Sequence, residues 1–155
     1  MELRSDDFEP GGPIPLAYTK NGQGKSPPLR WTGVPKRARE LALIFENTTE
    51  NFVHWVVYKV PGELHGLPGG FSHQAEPEAP LRVVQGTNSQ GNVGYDGPLG
   101  AEGRRYRYAF RLYALDARLD LAPKADAPAL LKAMADHVLE EATLEATYER
   151  PRDRS

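Results

Sequence analysis

The sequence contains no cysteine. Disulfides, thiolate nucleophiles and cysteine-ligated metals are therefore excluded. It also has little net charge: Lys and Arg against Asp and Glu balance to −2 with the histidines neutral. That gives no general attraction to nucleic acid or to an acidic membrane surface, and no nucleic-acid partner is expected. No apolar run approaches the length that spans a bilayer, so no transmembrane segment is expected. Residues Met1 to Asp7 lack the basic head and apolar core of a secretory leader, which predicts a cytoplasmic protein. Phosphate-binding glycine signatures are missing too, both the GxxxxGK[ST] loop and GxGxxG between a strand and a helix. There is no Gly-x-Ser-x-Gly elbow, so Ser26, Ser72 and Ser89 are nucleophile candidates by residue type alone. His65 and His73 lack metal-ligand spacing, and neither a metal nor a cofactor is expected.

What the chain does contain is turn-forming residues and short apolar runs. Its 155 residues, 39% of them hydrophobic, suffice for one domain with a real core. That core is expected over about residues 8–150, with 151–155 a frayed tail. Fifteen glycines and fourteen prolines are too many for a helical bundle and fit strands joined by loops. The organising stretch is Leu41–Pro61. Two apolar runs, Leu41–Phe45 and Phe52–Tyr58, flank the polar segment Glu46–Asn51 and read as paired strands. Strict alternation in the second run would put Phe52, His54, Val56 and Tyr58 on one face and Val53, Trp55 and Val57 on the other. Both faces are apolar, which predicts a strand covered on both sides with His54 built into it.

The remaining elements follow from pattern. Ile14–Thr19 could supply a short strand. Ser26-Pro27-Pro28-Leu29-Arg30-Trp31 reads as an extended edge segment whose Trp31 plugs the core. Gly62–Pro80 is a long loop, and Leu81–Gln85 a short strand. Residues 86–98 are too glycine-rich for regular structure. Tyr106–Leu115 alternates with its even positions apolar and Arg105, Arg107 and Arg111 opposite, the latter reading as a solvated or ion-paired face. Asp126-Ala127-Pro128 opens a helix with an N-cap and an early proline, its apolar stripe formed by Leu130, Met134 and Val138, with His137 in the last turns. Leu144–Tyr148 is a final strand. The total is six to eight strands and one helix, an antiparallel β-sandwich with a C-terminal helix.

Several motifs then occur in a recognisable order. They are Gly12-Pro13-Ile14-Pro15, Ser26-Pro27-Pro28-Leu29-x-Trp31, His54-Trp55-Val56-Val57-Tyr58, Gly86-Thr87-Asn88, Gly94-Tyr95-x-Gly97-Pro98, Tyr106-Arg107-Tyr108-x-Phe110-x-Leu112-Tyr113-Ala114-Leu115-Asp116 and His137-Val138-Leu139. Over roughly Phe8 to Arg150 the chain resembles the phosphatidylethanolamine-binding protein family, also called Raf kinase inhibitor-like proteins, in its bacterial and archaeal form. The resemblance implies a two-sheet β-sandwich with a small cavity for anions such as phosphate headgroups, and often a homodimer. It also implies where that cavity lies. The family lines it with an Asp-Pro-Asp turn, the histidine of the His-Trp strand, a second histidine, and the Gly-Tyr-x-Gly-Pro loop. Here Asn47-Thr48-Thr49 stands at the turn and Tyr106 at the second histidine, and no prolines follow Pro98 closely. The expected ligand-binding set is therefore His54, Tyr95, Tyr106, Asn47, Thr49, Gly97 and Pro98, with Pro27 in the wall. With both turn aspartates replaced, His54 is expected to be neutral near pH 7. Neutral donors and one imidazole suit binding of a small anionic or polar ligand without catalysis. The alternative is a protein-interaction or inhibitor module whose surface loops, Gly62–Pro80 or the arginine face, contact a protein partner.

Overall fold

The computed structural model describes residues 1–77 and 82–151. Among the described residues eight strands form two antiparallel sheets. The smaller holds β1 (Glu2–Arg4), β2 (Leu29–Thr32) and β5 (Gly66–Leu67) in the order β1-β2-β5. The larger holds β3 (Glu40–Asn47), β4 (Phe52–Pro61), β6 (Val84–Gln85), β7 (Arg105–Leu115) and β8 (Val138–Glu149) in the order β6-β4-β3-β7-β8. One helix, α1 (Ala127–Met134), lies against the outer face of the larger sheet. No helix among the described residues is long and apolar enough to cross a membrane.

The core between the sheets is aromatic. Leu3, Leu29, Trp31 and Leu67 of the small sheet meet Leu43, Phe45, Trp55, Tyr108, Phe110 and Leu112 of the large one. Phe45 and Phe110, cross-strand partners, stack with centroids 3.9 Å apart. A second core, under α1, gathers Ala42, Ile44, Val56, Tyr58, Leu115, Leu130 and Met134. Two cores on opposite faces explain why both faces of β4 are apolar.

Strand β7 follows its alternation without interruption, pairing with β3 residue by residue from Glu40↔Leu115 to Asn47↔Tyr108. Strand β4 does not. Its register against β3 steps from Phe45↔Trp55 to Glu46↔Val53, so His54 is the extra residue of a β-bulge. A second irregularity falls between Val57 and Val60, where Lys59 takes a left-handed φ of 53°. The expected face assignment is overturned as a result. His54 packs with Phe45 and Tyr108 on the inter-sheet side, while Val53 joins Val56 and Tyr58 on the helix side. An inserted residue shifts the two-residue period by one, and bulges commonly re-aim a side chain beside a site.

Other boundaries also move. Residues 14–19 form no strand; Leu16–Tyr18 is a single 3-10 turn, since Pro13 and Pro15 remove the donors a ladder needs. Strand β2 is the middle strand of its sheet rather than an edge, with both prolines just before it and Trp31 2% exposed. Leu81 and Pro80 lie outside the described residues, and the strand they precede is Val84–Gln85. The helix begins as expected, Asp126 capping the Ala129 N–H at 3.0 Å, but ends at Met134. Asp136 then turns left-handed at φ 69°, so His137 and Val138 leave the helix and β8 begins earlier than the Leu144 start expected from the alternation. The tail beyond residue 151 lies outside the described residues.

Candidate functional site

The bulge at His54 organises a cavity of about 200 Å3 where the β3–β4 turn meets the glycine-rich loop. Because β3 leaves His54 unpaired, its backbone is free to dock that loop. The His54 carbonyl accepts the Asp96 N–H at 2.9 Å, and its Nδ1 lies 2.6 Å from the Asp96 carbonyl oxygen. A carbonyl can only accept, so Nδ1 carries the hydrogen. The other ring nitrogen, Nε2, makes no hydrogen bond. Every fully buried side-chain nitrogen or oxygen among the described residues has a partner, so Nε2 is open to the cavity.

The loop itself is held by backbone geometry. Gly86 sits where a Cβ would come within 2.1 Å of the Ala125 carbonyl oxygen. Asn88 then closes a turn, its Oδ1 accepting the Gln90 and Asn92 N–H groups while its amide donates to the Gly94 carbonyl. Gly97 allows close approach to the Tyr18–Lys20 backbone, and the Lys20 N–H donates to the Pro98 carbonyl at 2.9 Å. Lys20 in turn reaches Asp96, Nζ to Oδ1 2.8 Å, across the cavity rim.

Of the residues expected in the site, His54, Asn47 and Gly97 line this cavity together. Asn47 spends its oxygen on the turn, accepting the Thr49 and Glu50 N–H groups at 2.9 and 3.0 Å, which leaves its NH2 group for the cavity. The others are not in the lining, and each has another task. Thr49 Oγ1 accepts the Arg107 N–H at 2.9 Å, tying the turn to β7. The Tyr106 hydroxyl accepts the Ala101 N–H at 2.9 Å, and its ring lies under Gly100, shaping the loop from below. Tyr95 stacks on Phe45, edges onto Trp55 and donates its hydroxyl to the Tyr18 carbonyl at 2.7 Å. Pro98 and Pro27 are buried outside the lining.

Sequence reasoning missed Lys20, Glu50, Phe52, Asp96, Leu99 and Tyr108, all of which line the cavity. The signal for Asp96 was the unspecified position inside Gly-Tyr-x-Gly-Pro. Lys20 had no local signal, since it arrives through a contact with a loop some seventy-five residues on in the chain. Asp96 and Glu50 place two carboxylates in the lining, but both are ion-paired, Asp96 with Lys20 and Glu50 with Arg104 at 3.4 Å. Tyr108 keeps its phenol protonated because burial pushes its pKa up, so it faces the cavity as a donor.

Burial also lowers the pKa of His54, the carbonyl and carboxylate of Asp96 opposing the effect and Lys20 adding to it. Below the ordinary histidine value of 6.5 the unfolded chain takes up a proton that the folded site resists, so stability should fall as pH drops through that value. His54→Gln removes this dependence. Urea midpoints at mildly acidic and mildly alkaline pH should therefore differ more for the wild type than for the variant; equal differences would mean that folding leaves the His54 pKa unshifted.

The family model of the phosphatidylethanolamine-binding protein matches residues 4–149. A UPF0098 protein of Methanothermobacter thermautotrophicus is 42% identical over 97% of this chain and 99% of its own length. Another from Chlamydia pneumoniae is 36% identical with the same coverage. Among solved structures, a phosphatidylethanolamine-binding protein homolog from Chlamydia trachomatis superposes with a TM-score of 0.84 at 35% identity, covering 96% of this chain and 97% of its own. Escherichia coli YbcL, at 21% identity and TM-score 0.85 with the same coverage, shares the fold.

Proposed function

The chain belongs to the phosphatidylethanolamine-binding protein family, and from that premise we propose that it is a non-enzymatic binding protein whose His54 cavity takes a small anionic or polar group of the phosphate-headgroup kind. The observation that carries this reading is the anchored imidazole, with Nδ1 held by the Asp96 carbonyl and Nε2 open to a cavity that Lys20 also lines. The Asn47 amide and the Tyr108 hydroxyl add neutral donors around the same space. Among the described residues the lining contains no serine, threonine or cysteine, and its one hydroxyl belongs to Tyr108, which burial keeps protonated. A binding role without a covalent intermediate is consistent with that set.

The proton on His54 governs the affinity. With Nδ1–H committed, neutral His54 offers Nε2 as an acceptor, suited to a hydroxyl or a protonated phosphate oxygen. Protonated, it becomes a charged donor and the hydrogen bond to an anion strengthens. Phosphate affinity should therefore rise as pH falls through the lowered His54 pKa. Calorimetric titration with inorganic phosphate and with phosphoethanolamine tests this, and tight pH-independent binding or no binding at any pH would contradict it. Lys20→Ala leaves the Asp96 carboxylate unpaired at the cavity rim. Losing a charge-assisted contact and gaining a repulsive one should weaken phosphate binding about tenfold or more at neutral pH. Unchanged affinity in that variant would place the ligand elsewhere.

A further inference from the structure

A second site lies at the opposite end of the large sheet. Arg39 precedes the first residue of β3 and Asn47 is its last, so the two ends are about 23 Å apart along an extended strand. At the Arg39 end a groove of about 720 Å3 is lined by Lys36, Arg37, Arg39, Asp116, Asp136 and His137, with only the methyls of Ala38 and Ala117 between them. Its cations lie within four residues of one another. Among the described residues Lys36, Arg37 and Arg39 pair with none, although all three are exposed on one short turn.

The walls of the groove are fixed before anything binds. The Ala38 N–H donates to the Pro35 carbonyl at 3.0 Å, closing the turn, and the Arg39 N–H donates to the Leu115 carbonyl at 2.7 Å. On the facing wall His137 binds Asp116 twice, through Nδ1 to Oδ1 at 2.9 Å and through its carbonyl to the Asp116 N–H at 2.9 Å. Asp136 holds the left-handed turn beside it. Three unpaired cations on one turn face two aspartates, of which Asp116 is already held by His137, and so leave positive charge for an anionic partner to meet.

We propose that this groove docks an acidic polypeptide segment of a partner protein. The two carboxylates decide between classes of polyanion. A phosphate polymer or nucleic-acid backbone offers acceptors alone and would be repelled by Asp116 and Asp136. A peptide supplies carboxylates for the lysine and arginines together with backbone N–H donors for the aspartates. Arginine forks pair with carboxylates in two-bonded geometry, which suits Arg37 and Arg39 to glutamate or aspartate side chains. Among the described residues the lining has no Phe, Tyr or Trp to stack on a base and no apolar wall for an acyl chain.

The test uses the full chain, a fluorescent oligoglutamate peptide and an oligodeoxynucleotide of similar charge. The peptide should bind, with anisotropy falling as salt is raised, because exposed charges are screened. The triple variant K36E/R37E/R39E should bind about tenfold or more weakly, and His54→Ala should bind as the wild type does. The control variant R105E/R107E, which reverses two exposed arginines on another face, should retain affinity. Peptide-induced amide shifts in the wild type should cluster at Arg39, Ala117 and His137, a readout that needs no variant to fold. The proposal is overturned if the triple variant binds normally, if R105E/R107E loses as much, if the shifts fall elsewhere, or if the oligonucleotide binds more tightly than the peptide.

Discussion

Phe110→Ala should leave little folded protein. Phe110 is wholly buried, stacked on Phe45 at 3.9 Å and within 6.0 Å of the Phe8 ring. Removing such a ring loses its transfer free energy and leaves a void that the strands on either side cannot close, because β3 and β8 flank it on the same sheet. The usual cost is about 3–5 kcal/mol, a large share of the stability of a domain this size. Circular dichroism melts should show a fall in midpoint well beyond a few degrees. A midpoint close to wild type would mean that the two sheets do not meet through this ring.

Gly86→Ala should abolish ligand binding while the sandwich survives. A Cβ there would lie 2.1 Å from the Ala125 carbonyl oxygen and 3.0 Å from Val56 Cγ1. The first contact is with backbone that is itself fixed, since the Thr87 N–H donates to that same carbonyl at 3.0 Å. Neither side can yield without moving the loop off β4. Overpacking of this kind costs about 1–3 kcal/mol, less than the Phe110 void, but it falls at the base of the segment that carries Asp96. The hydrogen bonds between Asp96 and His54 should then break and the imidazole lose its anchor. Phosphate titrations of Gly86→Ala should show no saturable binding, with far-ultraviolet dichroism near that of wild type. Wild-type affinity in this variant would mean that the loop is not what builds the site.

The parts of the fold legible in the sequence are those whose local pattern meets no interruption. Strand β7 alternates and pairs with β3 in unbroken register, so Tyr106, Tyr108, Phe110 and Leu112 fall inside as counted. The β3–β4 pair was also legible, but the phase of β4 was not. The bulge adds a residue without any marker of composition, and counting by twos then puts His54 with Val56 and Tyr58 instead of with Phe45. The helix start was written in Asp126 and Pro128; its end depended on Asp136 adopting a left-handed conformation, which a helical apolar period through Val138 conceals.

The candidate site was half legible for a similar reason. Resemblance marked positions around one cavity but not how the hydroxyls at those positions are used. Thr49 and Tyr106 look like ligand groups until the Arg107 and Ala101 N–H donors claim them. Lys20 and Asp96, in turn, become site residues through one loop-to-loop ion pair that no local pattern encodes.

The titration of His54 itself is the most direct test of the account. Imidazole shifts of His54, assigned by comparison with His54→Gln, can be followed against pH with and without inorganic phosphate. Burial keeps the free pKa below its ordinary value, and an anion at Nε2 should raise it, since the ligand favours the protonated ring as much as the proton favours the ligand. The free protein should show a depressed pKa that moves upward with phosphate. A His54 titration that phosphate leaves unmoved would contradict it.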